Sequence, residues 1–137
     1  MKMSWYIGLM TGTVLDGNID VAFLRTDGKT IEKFGYYDLV PYSEGVKILI
    51  VYALNEANRW NFIGKEPEIF SKAEVPLTKS QAEAVKKCIK LAGINKKEIS
   101  AIGFHGQTVL HRPANKVLKG ATRQLGDGQS MANTLDI

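Results

Sequence analysis

Apolar positions divide the chain into runs of two kinds. Trp5, Tyr6, Ile7, Leu9 and Met10 crowd together without a helical period, which predicts a short strand covered on both faces. Ile19, Val21 and Phe23 then alternate with Asp20 and Ala22 up to Asp27-Gly28, a turn dipeptide leading into Thr30 to Val40. Three antiparallel strands are therefore expected at the N-terminus. From Ser43 the spacing changes to three and four. Val46, Leu49, Ile50, Ala53 and Leu54 form the stripe of an amphipathic helix capped by Ser43 and fading near Asn58. Pro67 suits the first turn of a second helix through Ile69, Phe70 and Ala73, and Pro76 predicts a break or kink at Val75. The pattern resumes from Leu77 to Ala92, with Gly93 as C-terminal cap, and Asn95 to Glu98 reads as a single turn. Ser100 to Phe104 is a second short buried strand, expected in the same sheet as the first. Val109 to Arg112 and Thr122 to Leu125 suit a hairpin around Pro113 to Gly120. Gly126-Asp127-Gly128 opens a short helix ending near Asp136.

Both short apolar strands run into polar, glycine-containing loops. After the first come Thr11, Gly12, Thr13, Asp16 and Gly17, able to turn several backbone N–H groups toward one anion, since glycine admits positive φ and a close ligand. Asp16 adds a carboxylate that can hold Mg²⁺ directly or through water. Asp16-Gly17 is also a common hairpin dipeptide, and the two readings are compatible. Neither a Walker A motif nor a G-x-G-x-x-G fingerprint is present. After the second strand come His105, Gln107 and Thr108, a set suited to the dense hydrogen bonding of a sugar, with His105 also able to act as acid or base near neutral pH. Ligands of open α/β sheets sit beyond the carboxyl ends of the strands, so the two loops are expected to open on one cleft. His111 is a weaker candidate, and Asp127 reads as a helix cap.

Length and composition narrow the class. With 137 residues, 45% apolar and 23% charged, the chain has the size of one domain and a globular composition. The net charge of +4 is scattered, and its one concentration, Lys86, Lys87, Lys90, Lys96 and Lys97, reads as a solvated helix face ahead of a nucleic-acid surface. The single Cys88 excludes an internal disulfide, fits a small core residue, and with two histidines leaves no zinc pattern. Met1 to Ser4 is too short for a signal-peptide n-region and no apolar stretch approaches the ~20 residues of a membrane span, so a cytoplasmic protein without membrane or nucleic-acid partners is expected.

Ile7-Gly8-Leu9-Met10-Thr11-Gly12-Thr13-Val14-Leu15-Asp16-Gly17, Ile102-Gly103-Phe104-His105-Gly106-Gln107-Thr108-Val109 and Gln124-Leu125-Gly126-Asp127-Gly128, in that order and spacing, resemble the N-terminal part of anhydro-N-acetylmuramic acid kinase. The resemblance implies an α/β, actin-like sugar-kinase ATPase fold of ribonuclease-H-like lobes. Residues 1–137 would supply the opening part of the first lobe as an incomplete mixed sheet, with the second lobe absent. It implies phosphorylation of 1,6-anhydro-N-acetylmuramic acid by ATP and Mg²⁺, with water opening the anhydro bridge, in murein recycling. Gly12, Thr13, Val14, Leu15, Asp16, Gly17 and Asn18 would match the ATP-phosphate loop, with Asp16 toward the metal. His105, Gln107 and Thr108 would match the loop near the amino sugar. The family's catalytic aspartate would fall beyond Ile137, so no catalytic residue is expected here and this chain alone is expected to be inactive. The usual loop has serine where this chain has Thr11 and Val14, and Asn18-Ile19 adds one residue before Asp20. A non-catalytic nucleotide- or sugar-binding module, and a small basic nucleic-acid binder, are the readings of other classes.

Overall fold

The computed structural model describes residues 2–11 and 16–137. Strands β1 (Ser4–Thr11), β2 (Asn18–Thr26) and β3 (Ile31–Pro41) are followed by helices α1 (Glu44–Trp60) and α2 (Ile69–Ala92) and a single 3₁₀ turn at Lys96–Glu98. Then come β4 (Ile99–Gly103), β5 (Gln107–Arg112), β6 (Ala121–Leu125) and α3 (Gly128–Leu135). A four-stranded sheet has the order β3-β2-β1-β4, and β5 and β6 form a separate two-stranded sheet. The expected antiparallel meander is present, with Ile7 opposite Phe23 and Ala22 opposite Tyr37. At its second turn Asp27 Oδ1 accepts the N–H groups of Lys29 and Thr30 at 2.9 and 2.8 Å. β4 joins β1 in parallel, with Ile7 beside Ile102 and Gly8 beside Gly103, so the strand expected at Ser100 to Phe104 does share the sheet of Trp5.

Helices lie on one face of that sheet. Trp5, Ile7, Leu9, Val21 and Phe23 are buried there with Val46, Ile50, Ala53 and Ala57 of α1 and Phe70, Ala73, Leu77, Val85 and Cys88 of α2. Coverage on both faces, expected for β1, is not found, and neither is full burial of the strand expected at Ser100 to Phe104. Burial alternates along β1, leaving Gly8 and Met10 exposed, and in β4 Ile99 is buried whereas Ser100, Ala101 and Gly103 are exposed. Apolar Tyr6 and Met10 on the outward side erased the alternation that a one-sided strand normally shows in sequence.

The break expected at Val75 is also absent, because α2 runs continuously through Pro76. Phe70, Ala73, Leu77, Gln81, Ala84 and Cys88 are all buried, and their spacing keeps one stripe in phase across the proline. Burial along that stripe outweighs the ~3 kcal/mol that an interior proline costs. Other boundaries follow the local chemistry. Val46 N–H donates to Ser43 Oγ at 3.4 Å, α1 runs on to a left-handed Asn61 cap, and Gly93 closes α2 at φ +66°. Lys86, Lys87, Lys90, Lys96 and Lys97 are exposed, with Lys86 paired to Glu83 and Lys96 to Asp136. Cys88 is fully buried, and that burial pushes its thiol up from its ordinary range. No helix among the described residues is long and apolar enough to cross a membrane.

Candidate functional site

Parallel pairing of β1 with β4 sends both carboxyl ends toward the same edge of the sheet. The end of β1 therefore meets the loop after β4: Thr11 Oγ1 donates to the Gly106 carbonyl at 3.2 Å, across 95 positions of sequence. Gly106 sits at φ +70°, and a Cβ there would collide with the Leu125 carbonyl. Gly126 is held as closely, since its Cβ would fall 2.8 Å from the Phe104 ring and 3.1 Å from Gly106 Cα. Glycine is thus required at both positions for the third motif to stack on the second. Asp127 then caps α3, accepting Ser130 N–H at 3.0 Å and Ser130 Oγ at 2.6 Å, while its own N–H donates to Thr78 Oγ1 of α2 at 3.0 Å. Those Ser130 bonds hold the Asp127 carboxyl below the usual carboxylate range.

Of the expected phosphate loop, Gly12, Thr13, Val14 and Leu15 lie outside the described residues. Its second half is a hairpin return. Asn18 N–H donates to Asp16 Oδ1 at 2.9 Å, Gly17 has φ +63°, and the Gly17 carbonyl accepts Tyr42 N–H at 2.9 Å. The hairpin reading of Asp16-Gly17 is therefore met, with β1 and β2 antiparallel on either side. Lys47, in the first turn of α1, lies against Gly17: a Cβ on that glycine would fall 3.1 Å from Lys47 Nζ, which pairs with Glu44 at 3.0 Å. Sequence reasoning missed both Tyr42 and Lys47. Neither belongs to a motif, and each comes near the loop only through the tertiary fold.

The residues expected near a sugar are presented unequally. His105 is exposed between β4 and β5. Gln107 is only 7% exposed and its Nε2 donates to the Thr108 carbonyl at 3.2 Å. Thr108 is half-buried, and its Oγ1 accepts from Gln124 Nε2 at 3.2 Å. His111 is engaged with Thr122 Oγ1 at 2.8 Å in the β5–β6 hairpin.

As for a metal, Asp16 is exposed, and no group of three or more His, Cys, Asp or Glu side chains is assembled among the described residues. A single carboxylate suits Mg²⁺ that keeps most of its waters and takes its other oxygens from nucleotide phosphates, and does not suit a protein-caged ion.

Comparison with known proteins gives a consistent result. A family model described as anhydro-N-acetylmuramic acid kinase matches residues 4–137. A Mesorhizobium japonicum protein named anhydro-N-acetylmuramic acid kinase is 51% identical over 135 residues, which are 98% of this chain and 36% of that protein. A Brucella anthropi protein of the same name is 52% identical with the same coverage. A Jannaschia protein named anhydro-N-acetylmuramic acid kinase 2 is 52% identical over 133 residues, 97% of this chain and 35% of its own length. The chain spans little more than a third of the length of these curated relatives.

Proposed function

This chain belongs to the anhydro-N-acetylmuramic acid kinase family, and we propose on that premise that it forms the opening part of the first lobe of a ribonuclease-H-like, actin-type sugar kinase. The reaction served is ATP-dependent phosphorylation of 1,6-anhydro-N-acetylmuramic acid with hydrolytic opening of the anhydro bridge, a cytoplasmic step of murein recycling. The strand order β3-β2-β1-β4 with an antiparallel meander supports the lobe reading. The observation that supports the functional reading is the bond from Thr11, at the end of β1, to Gly106 in the loop after β4.

In this reading Gly12, Thr13, Val14, Leu15, Asp16, Gly17 and Asn18 cradle the nucleotide phosphates through backbone N–H groups. Asp16 orients water on Mg²⁺, which when bound offsets the phosphate charge. His105 meets the amino sugar directly. Gln107 and Thr108 act from behind it, fixing the loop through the Thr108 carbonyl and Gln124. None of these motif residues is assigned the role of the base that activates water or the sugar hydroxyl.

Calorimetric titration of the chain with ATP–Mg²⁺, and separately with the anhydrosugar, tests this directly. Binding of ATP–Mg²⁺ that is lost in Asp16→Ala, with the thermal melt unchanged, is the expected result. Asp16 is exposed and has few packing contacts to lose. Heat from neither ligand, or nucleotide binding indifferent to Asp16→Ala, counts against the assignment.

A further inference from the structure

Lys47 is the one lysine of this chain that is half-buried; every other lysine is exposed. Its stem lies flat along Gly17, the left-handed residue after Asp16, so closely that a Cβ on that glycine would meet Lys47 Cδ and Nζ at 3.1 Å. Gly17 is in turn tied to the approach to α1, its carbonyl accepting Tyr42 N–H at 2.9 Å. An ammonium is thereby held beside the arm of the loop that carries Asp16. Local electrostatics disfavour that placement. Lys47 N–H donates to the Ser43 carbonyl at 3.0 Å, which puts the residue in the first turn of α1, where the helix dipole opposes a cation. Ordering so long a side chain also costs rotamer entropy. Its partner among the described residues, Glu44 at 3.0 Å, has a side chain 81% exposed, and so open a pair returns little.

We propose that Lys47 binds the phosphate chain of the nucleotide, giving up Glu44 to do so. This role rests on the phosphate-loop reading above and adds to it a cation from α1 that belongs to no motif. Asp16 brings negative charge to a site meant for an anion, and Lys47 supplies charge of the opposite sign beside it. Lysine meets phosphate as a point charge, which needs reach more than a fixed fork of donors. The stem is already ordered against Gly17, so less freedom is lost when the ligand arrives. Glu44 holds the ammonium in the ligand-free chain, and the denser charge of a polyphosphate outbids a single exposed carboxylate.

The chain is titrated calorimetrically with inorganic triphosphate and with ATP–Mg²⁺. Lys47→Met keeps the stem and removes the charge. It should weaken binding of both at least about fivefold with the thermal melt unchanged, whereas Lys47→Arg should stay within about twofold of the parent. Glu44→Gln should tighten both at least about twofold, because phosphate no longer competes with a carboxylate. Lys97→Met, at the amino end of β4 and so at the far end of the sheet, should bind as the parent does. Unchanged binding in Lys47→Met overturns the role of Lys47 and leaves the phosphate-loop reading standing. An equal loss in Lys97→Met does the same, since it means unspecific attraction to a basic chain. If Lys47→Met melts below the parent, Glu44→Gln decides, and its failure to tighten binding overturns the role. A parent chain that binds neither triphosphate nor ATP–Mg²⁺ overturns the phosphate-loop reading, and the role of Lys47 with it.

Discussion

Tyr42 and Gln81 meet inside the protein, the amide Nε2 donating to the phenol oxygen at 2.7 Å, and both residues are buried. Burial pushes the Tyr42 phenol far above its ordinary range, so it stays neutral and dependent on that single partner. Gln81→Leu should destabilise the fold by about 1–3 kcal/mol, the cost of stranding a buried polar group. Urea denaturation reads it, and adding Tyr42→Phe should recover part of the loss. At the surface, Asp27 behaves oppositely. The N–H groups of Thr30 and Lys29 bring its carboxyl down to about 2 from 3.8, so the folded state favours the ionised form. The resulting stabilisation is complete above pH 3.8 and is lost as pH falls through about 2. A carboxyl NMR titration of Asp27 should show that midpoint, and Asp27→Asn should flatten the acid limb of stability between those two values.

Helix α2 is where local preference and packing disagree. Pro76→Ala should raise stability by about 1–3 kcal/mol, because it restores an intrahelical donor while leaving the buried stripe in place. A thermal melt checks it, and a lower melting temperature would mean that Pro76 is needed where it stands. That disagreement marks the limit of what could be read from sequence. Asp27-Gly28, Ser43 and Gly93 announced their turns and caps because each acts through neighbours one to four positions away. The continuity of α2 depends on the same stripe being buried on both sides of Pro76, with Phe70 against Trp60 of α1 before it, a long-range condition. The one-sided cover of β1 was hidden by Tyr6 and Met10, apolar residues on the outward side. Lys47, Tyr42 and the inward placement of Gln107 depend on which elements pack together, which no spacing records. The approach of Thr11 to Gly106 was legible, since neighbouring strands of one sheet that run parallel deliver their carboxyl ends to one side.

For the molecule as a whole, phosphoryl transfer needs both reacting groups held in line and a base to take the proton. This chain, assayed alone with ATP, Mg²⁺ and the anhydrosugar, should show no turnover near the roughly 1–100 s⁻¹ usual for kinases. A missing general base alone removes about 10²–10⁴ in rate. A rate in the kinase range would place that base among the residues present. The seven positions from Thr11 to Gly17 are contiguous in sequence, yet Thr11 is tied to Gly106 and Gly17 to Tyr42. Their ends are therefore fixed only after distant parts of the chain have come together, and such contacts form slowly because long loops must close before they are rewarded. The anchoring of Thr11 and Gly17 is thus a late step of folding: a synthetic peptide covering the first hairpin would carry the whole motif and lack both of its anchors.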